Sequence, residues 1–440
     1  MTDLSSTEPA THRSLKVADA RTKKRNAAEK RFRAYGIVAI AIGGLFLLAL
    51  TYNILKAGLP AFTQYVVELE VTLTQDEFDA AESQMLKTAA YTDIFIGNFE
   101  ANLEERGVEV PYDGDAIERL LGKVGGDIRS YYRENLDDIG QPVTFQLQTS
   151  SRVEGYFKGR VNRDTIVDSR FLMGSDLDIV DALRDAGVLT SRFNWAFVTG
   201  TDSGVDNPGG AGIGASAIGS FFMMLVVLFL SLPIGVAASI YLEEFAPKNR
   251  LTDLVEVNIS NLAAVPSIVF GILGLSVFIQ FAHLPQSAPL VGGLVLTLMT
   301  LPTIIISTRA SLKSVPPSIR DAALGIGASK MQSVFHHVLP LAMPGILTGT
   351  IIGLAQALGE TAPLLLIGMV GFVAREYPDG VVSGFMDPNS AMPAQIYTWA
   401  ARADVGFYEK AWGGIIILLI FLLLMNALAI FLRKKFERRW

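Results

Sequence analysis

Residues Val315–Gly345 read VPPSIRDAALGIGASKMQSVFHHVLPLAMPG, and they connect two apolar runs, Leu290–Ser307 and Ile346–Val370, each about long enough to cross a membrane. The two prolines near the start of this connection favour the first turn of a helix, and Gly325 and Gly327 favour the end of that helix. A short helix displayed between two spans suits docking into a groove on a partner protein. The alternative is a surface loop that only joins the spans.

The composition is that of an integral membrane protein. Half of the 440 residues are hydrophobic and only 18% are charged. The chain has no cysteine, which excludes disulfides and thiol nucleophiles, and its four histidines are scattered along the sequence. We therefore predict no metal site, no directly bound cofactor and no catalytic residue in this chain.

The apolar runs and the basic residues together predict the topology. Basic residues concentrate in segments 1–35 and 433–440 and in loop 309–345, so the positive-inside rule places both termini and this loop in the cytoplasm. A cleaved signal peptide is the alternative for the first run, but its basic segment is too long and the run is close to the length of a true span, so we predict a retained anchor. The basic segment is predicted to be a solvated tail, with contact to anionic membrane lipid as the alternative. The six predicted spans are Gly36–Leu55, Ala215–Ala238, Val265–Phe281, Leu290–Ser307, Ile346–Val370 and Trp412–Leu432.

Residues 56–212 form an acidic extracytoplasmic domain between the first two spans. After the lysine at its start, this segment holds 27 Asp and Glu against 13 Lys and Arg. The alternating apolar residues of Val67–Leu73 predict a strand, and Thr74 with Glu77 forms a capping box that opens a helix through about Tyr91. A small α+β domain is the prediction, followed by a glycine-rich hinge. Its other predicted elements are helices at Asp115–Tyr132 and Asp176–Ala186, strands at Val143–Gln148 and Gly155–Val161, and the hinge at Asp206–Gly214.

The docking loop resembles a known family of membrane subunits. The pattern Asp321-Ala322-Ala323, Gly327 and Leu339-Pro340 resembles the Glu-Ala-Ala loop of ABC importer permeases, with aspartate in place of the usual glutamate. Four further segments, PGGAGIGASAIGS, LPIGVAASIYLEEFAP, VPSIVFGILG and ALGETAPLLLIG, together resemble the PstA-type permeases of bacterial phosphate ABC transporters. The resemblance covers about half of the chain, and residues 56–212 resemble the extra domain of one subgroup.

This resemblance implies a mainly α membrane protein of the inner (plasma) membrane, with six transmembrane helices and a type I ABC importer permease core at 213–432. It implies ATP-driven import of inorganic phosphate together with a homologous PstC-type permease, two copies of a PstB-type ATPase and a periplasmic PstS-type binding protein. The chain lacks a G-x-x-x-x-G-K-[ST] loop, so we expect ATP to be used by partner subunits, and nothing predicts a nucleic-acid partner. The alternatives are a permease for sulfate or molybdate, or a membrane-anchored sensor with an extracytoplasmic ligand-binding domain.

The fifth predicted span carries an acid where bulk water does not reach. An acid at the bilayer centre costs about 3 kcal/mol or more, so Glu360 is expected to face protein or a wet cavity. Two negative charges repel, so this carboxylate does not suit phosphate binding, and we predict that it holds an arginine of the second permease and gates the path. The alternative is a static contact between helices. Gln356, where relatives place an arginine, and Thr361 complete the predicted path, and helix packing is predicted at Gly345, Gly349 and Gly353.

Overall fold

The computed structural model describes residues 20–105, 114–121, 124–166, 173–204, 207–370 and 377–436. The chain divides into two units, Met1–Lys56 and Ala57–Trp440. Parts of three predictions lie outside the described residues: the first 19 residues of basic segment 1–35, the last four residues of segment 433–440, and Asp206 of the glycine-rich hinge.

The first helix, α1, spans Ala20–Gly58 and contains the predicted span Gly36–Leu55. It begins inside the predicted basic tail, so residues 20–35 are helical rather than irregular. The physical reason is composition, because this segment is rich in Ala, Lys, Arg and Glu and has no glycine or proline before Gly36.

Residues 57–212, hereafter the insert domain, have the predicted α+β architecture. The central strand β1 pairs in antiparallel fashion with β2 on one side and β3 on the other. Alternate residues of β1 are buried, and Leu69 lies opposite Phe145 in the domain core. The elements in chain order are β1 Thr63–Thr72, α2 Gln75–Ser83, α3 Lys87–Glu105, α4 Gly114–Leu120, α5 Val124–Glu134, β2 Pro142–Gln148, α6 Ser151–Phe157, α7 Arg163–Ile166, α8 Gly174–Asp185, β3 Leu189–Phe193 and α9 Trp195–Thr199.

The structure corrects four details of the insert domain. The predicted single helix Asp115–Tyr132 is two helices, α4 and α5, because Leu121 after α4 forms a β-bridge with Thr149. The capping box of Thr74 and Glu77 is present, but its helix ends at Ser83 and a new one begins at Lys87, because Gln84 is extended. The predicted strand Gly155–Val161 is wrong, since most of it belongs to helix α6 and the turn after it. A short apolar run has the same composition in either conformation, and periodicity does not separate the two. Strand β3 was not predicted.

Residues 213–436, hereafter the core, are helical. Helix α10 packs along α13, α13 along α16, and α16 along α20. π-helical segments follow α10 at Tyr241–Phe245, α12 at Gly274–Phe281 and α15 at Val334–Val338. The helices are α10 Gly214–Ile240, α11 Arg250–Leu262, α12 Ser267–Leu273, α13 Pro289–Ser314, α14 Pro317–Gly325, α15 Lys330–Ser333, α16 Leu339–Gly359, α17 Ala362–Leu366, α18 Val381–Met386, α19 Met392–Ala400 and α20 Val405–Phe436.

Within the described residues, five straight helical segments are long and apolar enough to cross a membrane. The third predicted span is instead the second arm of a bent pair, Arg250–Leu262 and Ser267–Phe281, which meet at 105°. Counting this pair as one span gives the predicted six. The loop 309–345 is shorter than predicted, because α13 continues to Ser314 and a 30-residue helical segment begins at Lys330.

Candidate coupling and translocation site

The loop helix α14 has well-defined ends. Pro317 occupies its first turn, where a missing N–H and a fixed φ favour a helix start. The helix ends at a left-handed glycine, because Gly327 has φ +90°. The N–H groups of Gly327 and Ala328 donate to carbonyls of the last turn at 3.0 and 3.1 Å, which completes a Schellman cap. Local sequence alone therefore shapes this helix.

The loop exposes three of the six residues of the predicted docking motif. The surface around them is partly apolar, since Ile326 is 84% exposed and Leu324 48% exposed. Of the motif itself, Asp321, Ala322 and Gly327 are exposed, Ala323 is buried, and Leu339 and Pro340 are half-buried at the start of α16.

Arg320, the residue before the motif, joins α14 to two spans. Its Nη2 atom lies 2.6 Å from Glu244 Oε1, in the π-helical end of α10. Its guanidinium also donates to the carbonyl oxygens of Leu312 and Val315 at 2.9 and 2.8 Å, at the end of α13. The Leu312 carbonyl also accepts from the Val315 N–H at 3.3 Å, at the C-cap of α13. The Glu244 side chain is only 7% exposed. One side chain thus ties the loop helix to α10 and α13.

A second set of ion pairs joins the same ends. Arg309 of α13 lies 2.7 Å from Glu256 of α11 and 3.3 Å from Glu243 at the end of α10. Lys313 is 3.5 Å from Glu243. Sequence reasoning did not single out these residues or Arg320. The available signal was a pair of glutamates at the end of one span and basic residues at the end of an adjacent span.

An apolar cluster supports the loop from within. It brings together the ends of α10 and α13, the π-helical segment before α16 and the first turns of α16, and α14 covers it through Ala323 and Ile319. A movement of the loop therefore acts on three helices together. The buried members are Ile240, Leu312, Val315, Val334, Val338, Ala342 and Ile346.

The three glycines of α16 face α13. A Cβ atom added at Gly345 would collide with Ser311, and one added at Gly349 would collide with Ser307. At Gly353 the added atom would lie 3.5 Å from Ile304, an ordinary contact. The two helices are therefore closest at Gly345 and Gly349 and diverge toward Gly353.

The predicted continuous span Ile346–Val370 is wrong, because the helix ends at Gly359. Glu360 has an extended conformation, with φ −76° and ψ 132°, and the short helix α17 begins at Ala362. Pro363 explains the break, since in a continuing helix it would have no N–H to donate to the Gly359 carbonyl and its ring would clash with that carbonyl. Glu360 thus lies in a chain break between two helices and not on a helix face.

The side chains at this break are accessible. Gln356 is exposed, whereas Glu360 and Thr361 are half-buried. Within the described part of the chain, no hydrogen bond or ion pair joins the Glu360 carboxylate to another residue. A half-buried carboxylate without a partner is available to a cation from outside this chain.

The segments after the break are held by polar contacts. Ser287 Oγ donates to Gly368 O at 2.7 Å. Further along, the fully buried Gln395 of α19 accepts a hydrogen bond from Ser216 of α10 at 3.1 Å, and Ser220 Oγ accepts from the backbone of Met392 at 2.8 Å. These contacts fix α19 against the first helix of the core. Among the residues that the structure describes, no group of three acidic or histidine side chains could hold a metal ion.

Two family models match separate parts of the chain. A family model described as binding-protein-dependent transport system inner membrane component matches residues 231–440. A second model, a domain of unknown function (DUF3333), matches residues 19–166.

Curated relatives match the core. The phosphate transport system permease protein PstA 1 of Mycobacterium tuberculosis H37Rv is 30% identical over 228 residues, which is 52% of this chain and 71% of the relative. PstA of Yersinia pestis is 29% identical over 52% of this chain and 75% of its own length. The probable ABC transporter permease protein YqgI of Bacillus subtilis is 32% identical, and here the match spans 58% of the relative.

Solved structures match the same half. The MetNI methionine ABC transporter in an inward-facing conformation is 17% identical over 51% of this chain and 94% of that chain, with a TM-score of 0.38. A bacterial ABC transporter for import of the acidic polysaccharide alginate is 12% identical, with the same TM-score and 79% of that chain covered. On the sequence matches to the core, this chain belongs to the PstA-type family of ABC importer permeases, which are multi-pass proteins of the inner membrane.

Proposed function

We propose that this chain is the permease subunit of an ATP-driven importer of inorganic phosphate. The observation that carries the proposal is the exposed loop helix α14, tied by Arg320 to the ends of α10 and α13. A partner that pushes or pulls α14 would move both spans together. The substrate is inferred from the relatives, which are named as phosphate transport system permeases.

The proposed complex has partners on both sides of the membrane. Two copies of a PstB-type ATPase hydrolyse ATP, and one of them docks at α14. A PstC-type permease completes the path. A PstS-type binding protein delivers phosphate on the side of the insert domain. This assignment places both termini and α14 in the cytoplasm, in line with the basic residues of segments 1–35 and 433–440.

Glu360 has a defined part in this proposal. Its carboxylate lies in the break after α16 and has no partner within the described part of the chain. An arginine or lysine of the second permease pairs with it, and the pair separates when the path opens. A carboxylate in the membrane interior is costly without such a cation, which favours a charged partner. The alternative is a static polar contact that only fastens helices.

The test is uptake by the complete complex. The four kinds of subunit are reconstituted in vesicles with ATP on the loop side and labelled phosphate on the insert side, with sulfate or molybdate as competitors. We expect ATP-dependent uptake that neither competitor inhibits. Equal inhibition by sulfate would make the substrate assignment wrong, and a chain that does not co-purify with any ATPase would favour the sensor alternative.

A further inference from the structure

The insert domain is joined to the core by more than the chain connection from α9 to α10. The chain enters the domain through a 3-10 turn, Leu59–Phe62, and leaves it through α9. Both pack on α20 at Gly413, where an added Cβ would lie 2.5 Å from Ala61 and 2.8 Å from Phe197. Ala61 and Phe197 are fully buried, so the base of the domain and the backbone of α20 are in direct contact.

A buried ionic cluster lies beside this contact. It consists of Glu154, Lys158 and Arg160 of the insert domain and Glu409 and Lys410 of α20. Lys158 Nζ lies 2.8 Å from Glu409 and 3.1 Å from Glu154, and each of these three side chains is at most 5% exposed. Arg160 lies 2.7 Å from the second oxygen of Glu409. The cluster therefore pairs charges across the boundary between the two parts.

Lys158 and Lys410 add contacts that a simple ion pair lacks. Lys158 Nζ also donates to the carbonyl of Thr63 at 2.8 Å, at the start of β1. Lys410 is 2% exposed, and its ammonium lies 4.9 Å from the centre of the Phe197 ring, a cation–π distance. Glu409 and Lys410, which are neighbours on α20, thus both contact the insert domain.

A second tie holds the turn that precedes α20. Asp202, in the segment after α9, accepts hydrogen bonds from Arg402 at 2.7 and 3.3 Å and from the Trp399 indole at 2.8 Å. Asp202 and Trp399 are buried. The α19–α20 hairpin is therefore held before its turn by Trp399, within it by Arg402 and after it by Glu409.

This hairpin contacts the helices on both sides of the break at Glu360. Helix α20 packs along α16, which ends one residue before Glu360, and α19 packs against α17, which begins two residues after it. Buried ion pairs add little net stability because desolvation offsets their attraction. An ion pair requires a defined distance and direction between its two charged groups. It therefore fixes the orientation of the two segments it joins, whereas an apolar contact would allow one segment to slide along the other.

We propose that the insert domain is a rigid part of the gate, and that it sets, through Lys158 and Glu409, the orientation of the α19–α20 hairpin, which contacts the helices on both sides of the break at Glu360. These two are positioning residues, since neither reaches the break itself. The inference gives the insert domain a role in transport and rests on the proposed function. A partner that binds the domain acts directly on the helices next to the path.

Cross-linking tests the rigidity. The chain has no cysteine, so Ser151→Cys with Asp404→Cys introduces one pair at a contact of 3.3 Å between the domain and the start of α20. In the complete complex, copper phenanthroline should cross-link this pair nearly completely, and phosphate uptake should stay within twofold of the reduced form. Loss of uptake that a reductant restores would overturn the proposal, because it would mean that the domain must move relative to α20.

Charge removal tests the positioning. Glu409→Gln should lower phosphate taken up per ATP hydrolysed by at least fivefold, whereas a purely structural defect would lower uptake and hydrolysis in proportion. Arg192→Gln is the matched control, because its ion pair with Glu68 is exposed within the insert domain. An unchanged ratio in Glu409→Gln would refute the role. If the wild-type complex takes up no phosphate, the proposed function fails. The inference about the insert domain is then tested alone by the yield of the cross-link between positions 151 and 404, which we expect to fall when Glu409→Gln is added.

Discussion

The tie made by Arg320 gives the sharpest prediction about coupling. Arg320→Gln removes a guanidinium that contacts Glu244 at 2.6 Å and two carbonyl oxygens at the end of α13. Glu244 is then left as a nearly buried carboxylate without its cation. We expect phosphate uptake to fall strongly while the complex still assembles, because α14 keeps its apolar cluster and its exposed docking surface.

The free-energy cost of Arg320→Gln follows from the exposure of Arg320 and Glu244. Removing one partner of a buried ion pair costs about 3–5 kcal/mol, and the partial exposure of Arg320 reduces this to about 2–3 kcal/mol. Since 1.36 kcal/mol corresponds to a factor of ten, the tied arrangement becomes roughly 30- to 150-fold less favoured. Arg320→Lys should be nearly as harmful, because a lysine does not reproduce the fork that meets a carboxylate and two carbonyls.

The assay compares uptake with ATP hydrolysis stimulated by the loaded binding protein, in the reconstituted complex. Lys313→Gln is the control, since Lys313 is 59% exposed and lies 3.5 Å from Glu243, and it should change both rates by less than about twofold. The double variant Arg320→Gln with Glu244→Gln should lose less than the sum of the two single losses. Additive losses, or normal uptake in Arg320→Gln, would refute the reasoning.

Three further predictions concern packing, the break and the insert domain. Gly349→Ala should lower the free energy of unfolding of the purified protein by about 1–3 kcal/mol through overpacking, which is measured as a lower thermal unfolding temperature. Gly353→Ala in the same helix should be neutral or slightly stabilising. Equal effects of the two substitutions would contradict the close approach of α16 and α13 at Gly349. Glu360→Gln should reduce phosphate uptake without loss of the partner permease on co-purification, and unchanged uptake would remove the gating proposal. In the insert domain, hydrogen bonding to Arg129 lowers the pKa of Glu82 from 4.5 to about 2. Because the folded-state pKa is depressed, this stabilisation is full above about pH 4.5 and is lost as the pH falls toward 2. In thermal unfolding, the difference in unfolding temperature between the wild-type protein and Glu82→Gln should therefore shrink from about pH 4.5 to about pH 2.

The sequence predicted those helices, strands and caps whose signals lie within a few neighbouring residues. The capping box at Thr74, the alternation that became β1 and the prolines and glycines around α14 each determine backbone conformation within a few residues. Short apolar runs carry no such signal, which is why α6 was mistaken for a strand. The break at Glu360 was missed although Pro363 follows closely, because the apolar run continues past it and hydropathy does not register backbone conformation.

The sequence by itself determined that this chain lies in a membrane, carries an acidic insert domain and displays a short helix between two spans, because composition and local helix signals act without long-range contacts. Only the tertiary structure decided what holds these parts together. Arg320 finds Glu244 across 76 positions, and Lys158 finds Glu409 across 251. Such pairs depend on how the helices pack, and no periodicity within a single segment encodes which distant charge a side chain will meet.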